Sequence, residues 1–111
     1  MQDTIGIDIS KDTLDIHRQS DGRHARFGND KAGLAALRRW IGKTPVRVVY
    51  EATGRYHRDM EAALDAAGHA LVKVNPGRTR RFAQAAGYGA KTDRVDARML
   101  AHMGSTLALE P

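Results

Sequence analysis

The sequence contains no cysteine, so disulfides and thiolate metal sites are excluded and any metal must take oxygen or imidazole ligands. No apolar run approaches the roughly 20 residues that span a bilayer. Asp3 stands where a signal peptide would be basic and then apolar. These absences are compatible with a reducing, cytoplasmic setting, and a soluble intracellular protein is expected. There is no Gly-x-x-x-x-Gly-Lys-Ser/Thr phosphate loop, no internal repeat and no low-complexity segment. The five histidines, His17, His24, His57, His69 and His102, show no metal-ligand spacing and are assigned ordinary surface or partly buried roles.

What is present is a chain of 111 residues, enough for one small domain with a real core. Its formal charge is +5 and its pI about 10.0, a balance that favours an anionic partner such as nucleic acid. The distribution is more informative than the total. Lys73, Arg78, Arg80, Arg81, Lys91, Arg94 and Arg98 crowd one stretch, which also carries Asp93 and Asp96.

The hydrophobic pattern predicts an order of elements. Residues 3–9 form an apolar run carrying Asp8, and Thr13 to Gln19 is a second strand with Leu14 and Ile16 on one face. Asp21-Gly22 signals a hairpin returning through His24 to Phe27. Asn29 or Asp30 caps a helix to about Ile41, with Leu34, Leu37, Trp40 and Ile41 facing the core and Gly42 as its stop. Val46 to Tyr50 is short, β-branched and uniformly apolar, the mark of a buried parallel strand. A second helix is expected from Thr53-Gly54 to about Ala67, and a strand from Ala70 to Val74. Two more helices are expected, from about Gly77 to Ala86 and from about Thr92 to Met103. Three antiparallel strands followed by helix, strand, helix, strand, helix is the order of the ribonuclease H-like fold, an α/β architecture with a mixed five-stranded sheet. The domain is expected over residues 1–104, with 105–111 beginning a connection.

In that topology the first and fourth strands are neighbours, which brings Asp8 and Glu51 to adjacent strand ends. Asp96, with Asp93 one turn earlier, would reach them from the last helix. Carboxylates are hard ligands that suit Mg2+, with Mn2+ as a substitute. Two such ions about 4 Å apart can activate a nucleophile and stabilise the charge of phosphodiester transfer. Each acid also has a plainer reading. Asp8 can serve a turn, Glu51 a solvated strand end or helix start, Asp93 a helix cap, and Asp96 a surface pair with Lys91 or Arg98. Arg78, Arg80 and Arg81 open a helix, where cations oppose the dipole, and fit phosphate contacts better than a structural role. Tyr56, Phe82 and Tyr88 suit packing before base stacking. Sugar kinases and actin-like ATPases share the opening strand pattern but need a second lobe that this chain has no room for.

Four segments carry a family resemblance: Ile5-Gly6-Ile7-Asp8-Ile9-Ser10-Lys11, Tyr50-Glu51-Ala52-Thr53-Gly54-Arg55-Tyr56, Val74-Asn75-Pro76 and Ala90-Lys91-Thr92-Asp93-Arg94-Val95-Asp96-Ala97. Together they resemble the N-terminal RuvC-like domain of the DEDD transposases of the IS110 insertion sequences, related to the Piv pilin-gene invertases. The resemblance implies that Asp8, Glu51, Asp93 and Asp96 are the catalytic metal-site acids; the basic residues of the same stretch, Arg78, Arg80, Arg81, Lys91 and Arg94, are expected from their charge to bind nucleic acid. The resemblance implies DNA transposition or site-specific recombination with Mg2+, in a bacterial, DNA-associated setting. It also implies oligomers of the full-length protein and, in some members, a structured guide RNA. Full-length members carry a serine nucleophile in a C-terminal domain. The chain stops at Pro111, so a fragment without that serine is expected, one not competent for recombination alone. The alternatives are a stand-alone junction-resolving nuclease and a non-catalytic nucleic-acid-binding or dimerisation module.

Overall fold

The computed structural model describes residues 2–52, 54–88 and 96–111. Five strands are formed: β1 (Thr4–Ile9), β2 (Thr13–Arg18), β3 (His24–Gly28), β4 (Arg47–Glu51) and β5 (Ala70–Val74). They join one sheet in the order β3-β2-β1-β4-β5. The β1–β2 and β2–β3 pairs are antiparallel, whereas β1–β4 and β4–β5 are parallel. This mixed sheet, with helices on both faces, is the expected ribonuclease H-like arrangement.

Side-chain alternation along each strand divides the core into two layers. On one face, Ile5, Ile7, Leu14, Ile16, Val48 and Tyr50 pack with Leu34, Leu37 and Ile41 of α1 (Lys31–Ile41) and Met60 and Leu64 of α2 (Arg58–Ala66). On the other face, Val49, Val72 and Val74 meet Leu100 and Met103 of α4 (Ala97–Thr106), together with Leu109. Phe82 of α3 (Pro76–Ala85) flanks this second cluster. Full burial of each large aliphatic side chain contributes about 1.5–3 kcal/mol before chain entropy is counted.

Local sequence explains most of the boundaries. The Asp30 carboxylate caps α1 by accepting from the Gly33 N–H at 2.7 Å, and Gly42 ends it. Asn75 caps α3 by accepting from the Gly77 N–H at 2.7 Å, with Pro76 in the first turn, where its missing N–H costs nothing. One expected helix start is corrected. α2 begins at Arg58 rather than at Thr53-Gly54, because Gly54 takes a left-handed φ of 61° and turns the chain before the helix can start. α4 is described from Ala97, with Asp96 in an extended conformation and its carboxylate accepting from the Met99 N–H at 2.8 Å, while the expected start at about Thr92 lies outside the described residues. Asp96 is therefore the cap of this helix, and not a residue one turn inside it.

Candidate functional site

β1 and β4 run parallel, with Ile7 opposite Tyr50. Asp8 and Glu51 are the next residues along each strand, so both stand at the C-terminal edge of the two central strands. Alternation turns them away from the layer that buries Ile7 and Tyr50 and toward the layer of α3 and α4. Both are half-buried.

Asp96 reaches the same edge because α4 lies unusually close to the sheet. A Cβ on Gly6 would stand 2.1 Å from the Ala97 carbonyl oxygen and 2.5 Å from the Ala101 nitrogen. Toward the other end of the helix, a Cβ on Gly104 would stand 2.4 Å from Val49 Cγ2. Gly6 on the strand and Gly104 on the helix thus admit a contact that side chains would prevent. α4 runs antiparallel to β1, with its N-terminus and Asp96 at the Asp8 end. At the far end, Arg47 Nη1 donates to Thr4 Oγ1 at 3.0 Å and to the Gly104 carbonyl at 3.2 Å, tying helix to strand.

Asp8 and Asp96 line one cavity of about 400 Å3 with Asp15, His17, His24, Ala97, Arg98 and Arg26. Asp15 sits directly opposite Asp8 in the β1–β2 register. Two facing carboxylates would repel, but Arg26 neutralises Asp15 with Nε donating at 2.7 Å and Nη2 at 3.3 Å. His17 has its pKa lowered, first by burial and then by the neighbouring His24 and Arg98 charges, against a smaller opposite pull from Asp96. The histidines set aside for lack of ligand spacing are thus partly gathered at the acids. Alternation along β2, with Asp15 and His17 opposite in phase to Leu14 and Ile16, was the signal that could have found them.

Glu51 is held by a residue of α3. The buried Thr79 hydroxyl donates to Glu51 Oε2 at 2.6 Å, and it also lies 2.8 Å from the Pro76 carbonyl. One face of α3 therefore orients Glu51, while Arg78, Arg80 and Arg81 project into solvent from the rest of the helix. No ion pair engages these three arginines among the described residues. Asp93, Lys91 and Arg94 lie outside the described residues.

All three described acids present hard oxygen donors, the chemistry a divalent cation such as Mg2+ requires. Among the described residues, no three His, Asp or Glu side chains are gathered closely enough to hold a metal ion. The arrangement is pairwise: Asp8 with Asp96 across the cavity, and Asp8 beside Glu51 by strand register. The positive end of the α4 dipole, which Asp96 caps, adds a field favourable to carboxylate and phosphate. Of the aromatics, Phe82 and Tyr88 pack against His102, and the Tyr88 hydroxyl lies 2.9 Å from its Nδ1. Tyr56 does not pack in this way and is 42 % exposed.

Comparison with known proteins adds a separate line of observation. A family profile described as a transposase, of the DEDD type of the IS110 group, matches residues 5–110. The pilin gene-inverting proteins of Moraxella lacunata and Moraxella bovis are each 31 % identical over 108 residues, covering 91 % of this chain and 34 % of theirs. The chain thus spans about a third of the length of the curated relatives it matches.

Proposed function

Because the chain belongs to the DEDD transposase family of the IS110 type, we propose that it acts as the Mg2+-binding domain of a DNA transposase or site-specific recombinase. The observation that carries the proposal is the placement of Asp8, which stands beside Glu51 on adjacent parallel strand ends and shares a cavity with Asp96, the cap of the helix seated closely on Gly6. The donor set fits Mg2+ or Mn2+, and Asp8, Glu51 and Asp96 would hold it, with Asp93 joining them on the family pattern. When bound, the metal supplies Lewis-acid activation of a phosphodiester and of its attacking oxygen.

The chain's own residues do the rest. Thr79 fixes one oxygen of Glu51 and leaves the other for a ligand, the orienting role that outer residues play at metal sites. Arg78, Arg80 and Arg81 position a DNA backbone without reading its sequence, and Lys91 and Arg94 extend this role. The relatives are named for inverting a pilin gene, a DNA rearrangement of the kind proposed here. The family resemblance extends the proposal to oligomers of the full-length protein and to a structured guide RNA. Among the described residues no helix is long and apolar enough to cross a membrane, and a DNA substrate places the proposed activity in the bacterial cytoplasm.

The test is the Mg2+ dependence of DNA binding. Affinity for duplex DNA, followed by fluorescence anisotropy, should rise on replacing EDTA with Mg2+ in the wild-type chain. The Mg2+ enhancement should vanish in Asp8→Asn and in Glu51→Gln. Binding that is indifferent to Mg2+ and to both substitutions would instead describe a non-catalytic nucleic-acid-binding module.

A further inference from the structure

A second cavity, of about 260 Å3, opens at the same C-terminal edge of the sheet but on the side of α1 and α2, lined by Lys11, Asn29, Arg55, Tyr56, Arg58 and Asp59. Lys11 lies in the turn three residues beyond Asp8, and Arg55 lies four residues beyond Glu51. Two of the segments that line this cavity thus continue directly from the strands that carry the two acids.

The cavity is constructed rather than incidental. Asn29 Nδ2 donates to the Ser10 carbonyl and to the Tyr56 carbonyl, each at 2.9 Å, and so joins the β1–β2 turn to the loop before α2. The Asn29 N–H also donates to the Asp12 carbonyl at 2.9 Å. The Ser10 hydroxyl closes the turn against Thr13 Oγ1 at 2.8 Å. The late start of α2 supplies the loop that carries Arg55 and Tyr56.

Its chemistry is that of a polyanion with flat bases. Lys11, Arg55 and Arg58 make no ion pair among the described residues, in contrast to Arg18, Arg26 and Lys73, each of which faces a carboxylate. Three uncompensated cations around one cavity outweigh the single carboxylate of Asp59. Tyr56 is exposed, and the conformation that exposes it is fixed by the Asn29 bond to its carbonyl. A core role would have buried this ring. Cations tracking phosphates beside an aromatic platform form the recurring single-strand binding arrangement.

We propose that Lys11, Arg55, Tyr56 and Arg58 form a grip for single-stranded nucleic acid, in which the cations hold phosphates and Tyr56 stacks a base, so that the strand is led over the sheet edge toward Asp8 and Glu51. Its function as a feed to the acids rests on the metal-site reading; the grip itself does not. It is distinct from the α3 arginines, which lie on the other face of the sheet.

The experiment is binding of a fluorescent oligothymidylate to the chain in EDTA, where no metal contributes. Tyr56→Ala should weaken binding about tenfold or more, and Tyr56→Phe should keep it. Arg55→Ala and Arg58→Ala should each weaken it and reduce the slope of log affinity against log salt by roughly 0.7. All four positions are exposed, and circular dichroism melts should match wild type. Unchanged affinity in Tyr56→Ala together with an unchanged salt slope in the arginine variants would overturn the grip. So would polyglutamate competing as well as oligothymidylate at equal charge, which would describe a site for any polyanion. Loss of the grip with intact Mg2+ enhancement of duplex binding would leave the metal-site reading standing, and the reverse result would leave the grip.

Discussion

Gly6 of β1 lies directly beneath Ala97 at the start of α4, so close that a Cβ on Gly6 would come within 2.1 Å of the Ala97 carbonyl oxygen. That contact sets how near the Asp96 cap can approach Asp8. The atoms in the way are backbone, which cannot rotate aside. Gly6→Ala should therefore displace α4 and destabilise the fold by about 1–3 kcal/mol or more, the range for overpacking. Urea denaturation measures this, and a midpoint equal to wild type would show that the helix does not depend on the close seat.

Asp96 caps α4, and substitution can separate that role from the metal binding proposed for it. Asp96→Ala removes the cap and should cost about 1 kcal/mol. Asp96→Asn keeps an oxygen to accept from the Met99 N–H but removes the charge, so the melting temperature should stay near wild type while Mn2+ affinity falls. Equal Mn2+ affinity in wild type and Asp96→Asn, by electron paramagnetic resonance, would leave Asp96 a cap alone.

Thr79 predicts a positioning effect. Thr79→Val removes the 2.6 Å bond to Glu51, and loss of an orienting partner of this kind typically lowers metal affinity 10–100-fold. Thr79→Ser should restore the hydroxyl and most of the affinity. Calorimetric titration with Mn2+ reads both variants, and a valine variant that binds as wild type would remove Thr79 from the site.

His69 makes stability depend on pH. It is buried, burial lowers its pKa from the ordinary 6.5, and its Nδ1 accepts from the Val46 N–H at 3.1 Å. Since the folded value is the lower one, the unfolded chain takes up the proton first as pH falls. The stability from neutral His69 is complete above about 6.5 and is lost progressively below it, down to the folded value. His69→Asn should flatten this part of the curve in thermal melts between about pH 7.5 and 5.5. An identical slope in wild type and variant would show that another group is responsible.

Much of the fold was legible because it is written in local patterns. The β-branched run at Val46 to Tyr50, the Asp30 cap and the Gly42 stop require only neighbours in sequence. The start of α2 is less legible: Thr53-Gly54 has the composition of a helix start, yet Gly54 has a positive φ and the helix begins at Arg58. The capping role of Asp96 is likewise unmarked by its neighbours in sequence. The adjacency of Asp8 and Glu51 followed from the strand order of the fold. The Thr79 bond to Glu51, the placement of Asp15 and His17 beside Asp8, and the Asn29 bridge to Tyr56 each join residues far apart in the chain. No local pattern marks such contacts, since they arise from how elements pack.

The central claim is that Asp8, Glu51 and Asp96 hold a divalent metal at the edge of the sheet. The most direct measurement is anomalous diffraction from crystals soaked in Mn2+, with and without bound DNA. The account predicts a peak among these three carboxylates that disappears in Asp8→Asn. No peak there at saturating Mn2+ in either crystal would contradict it.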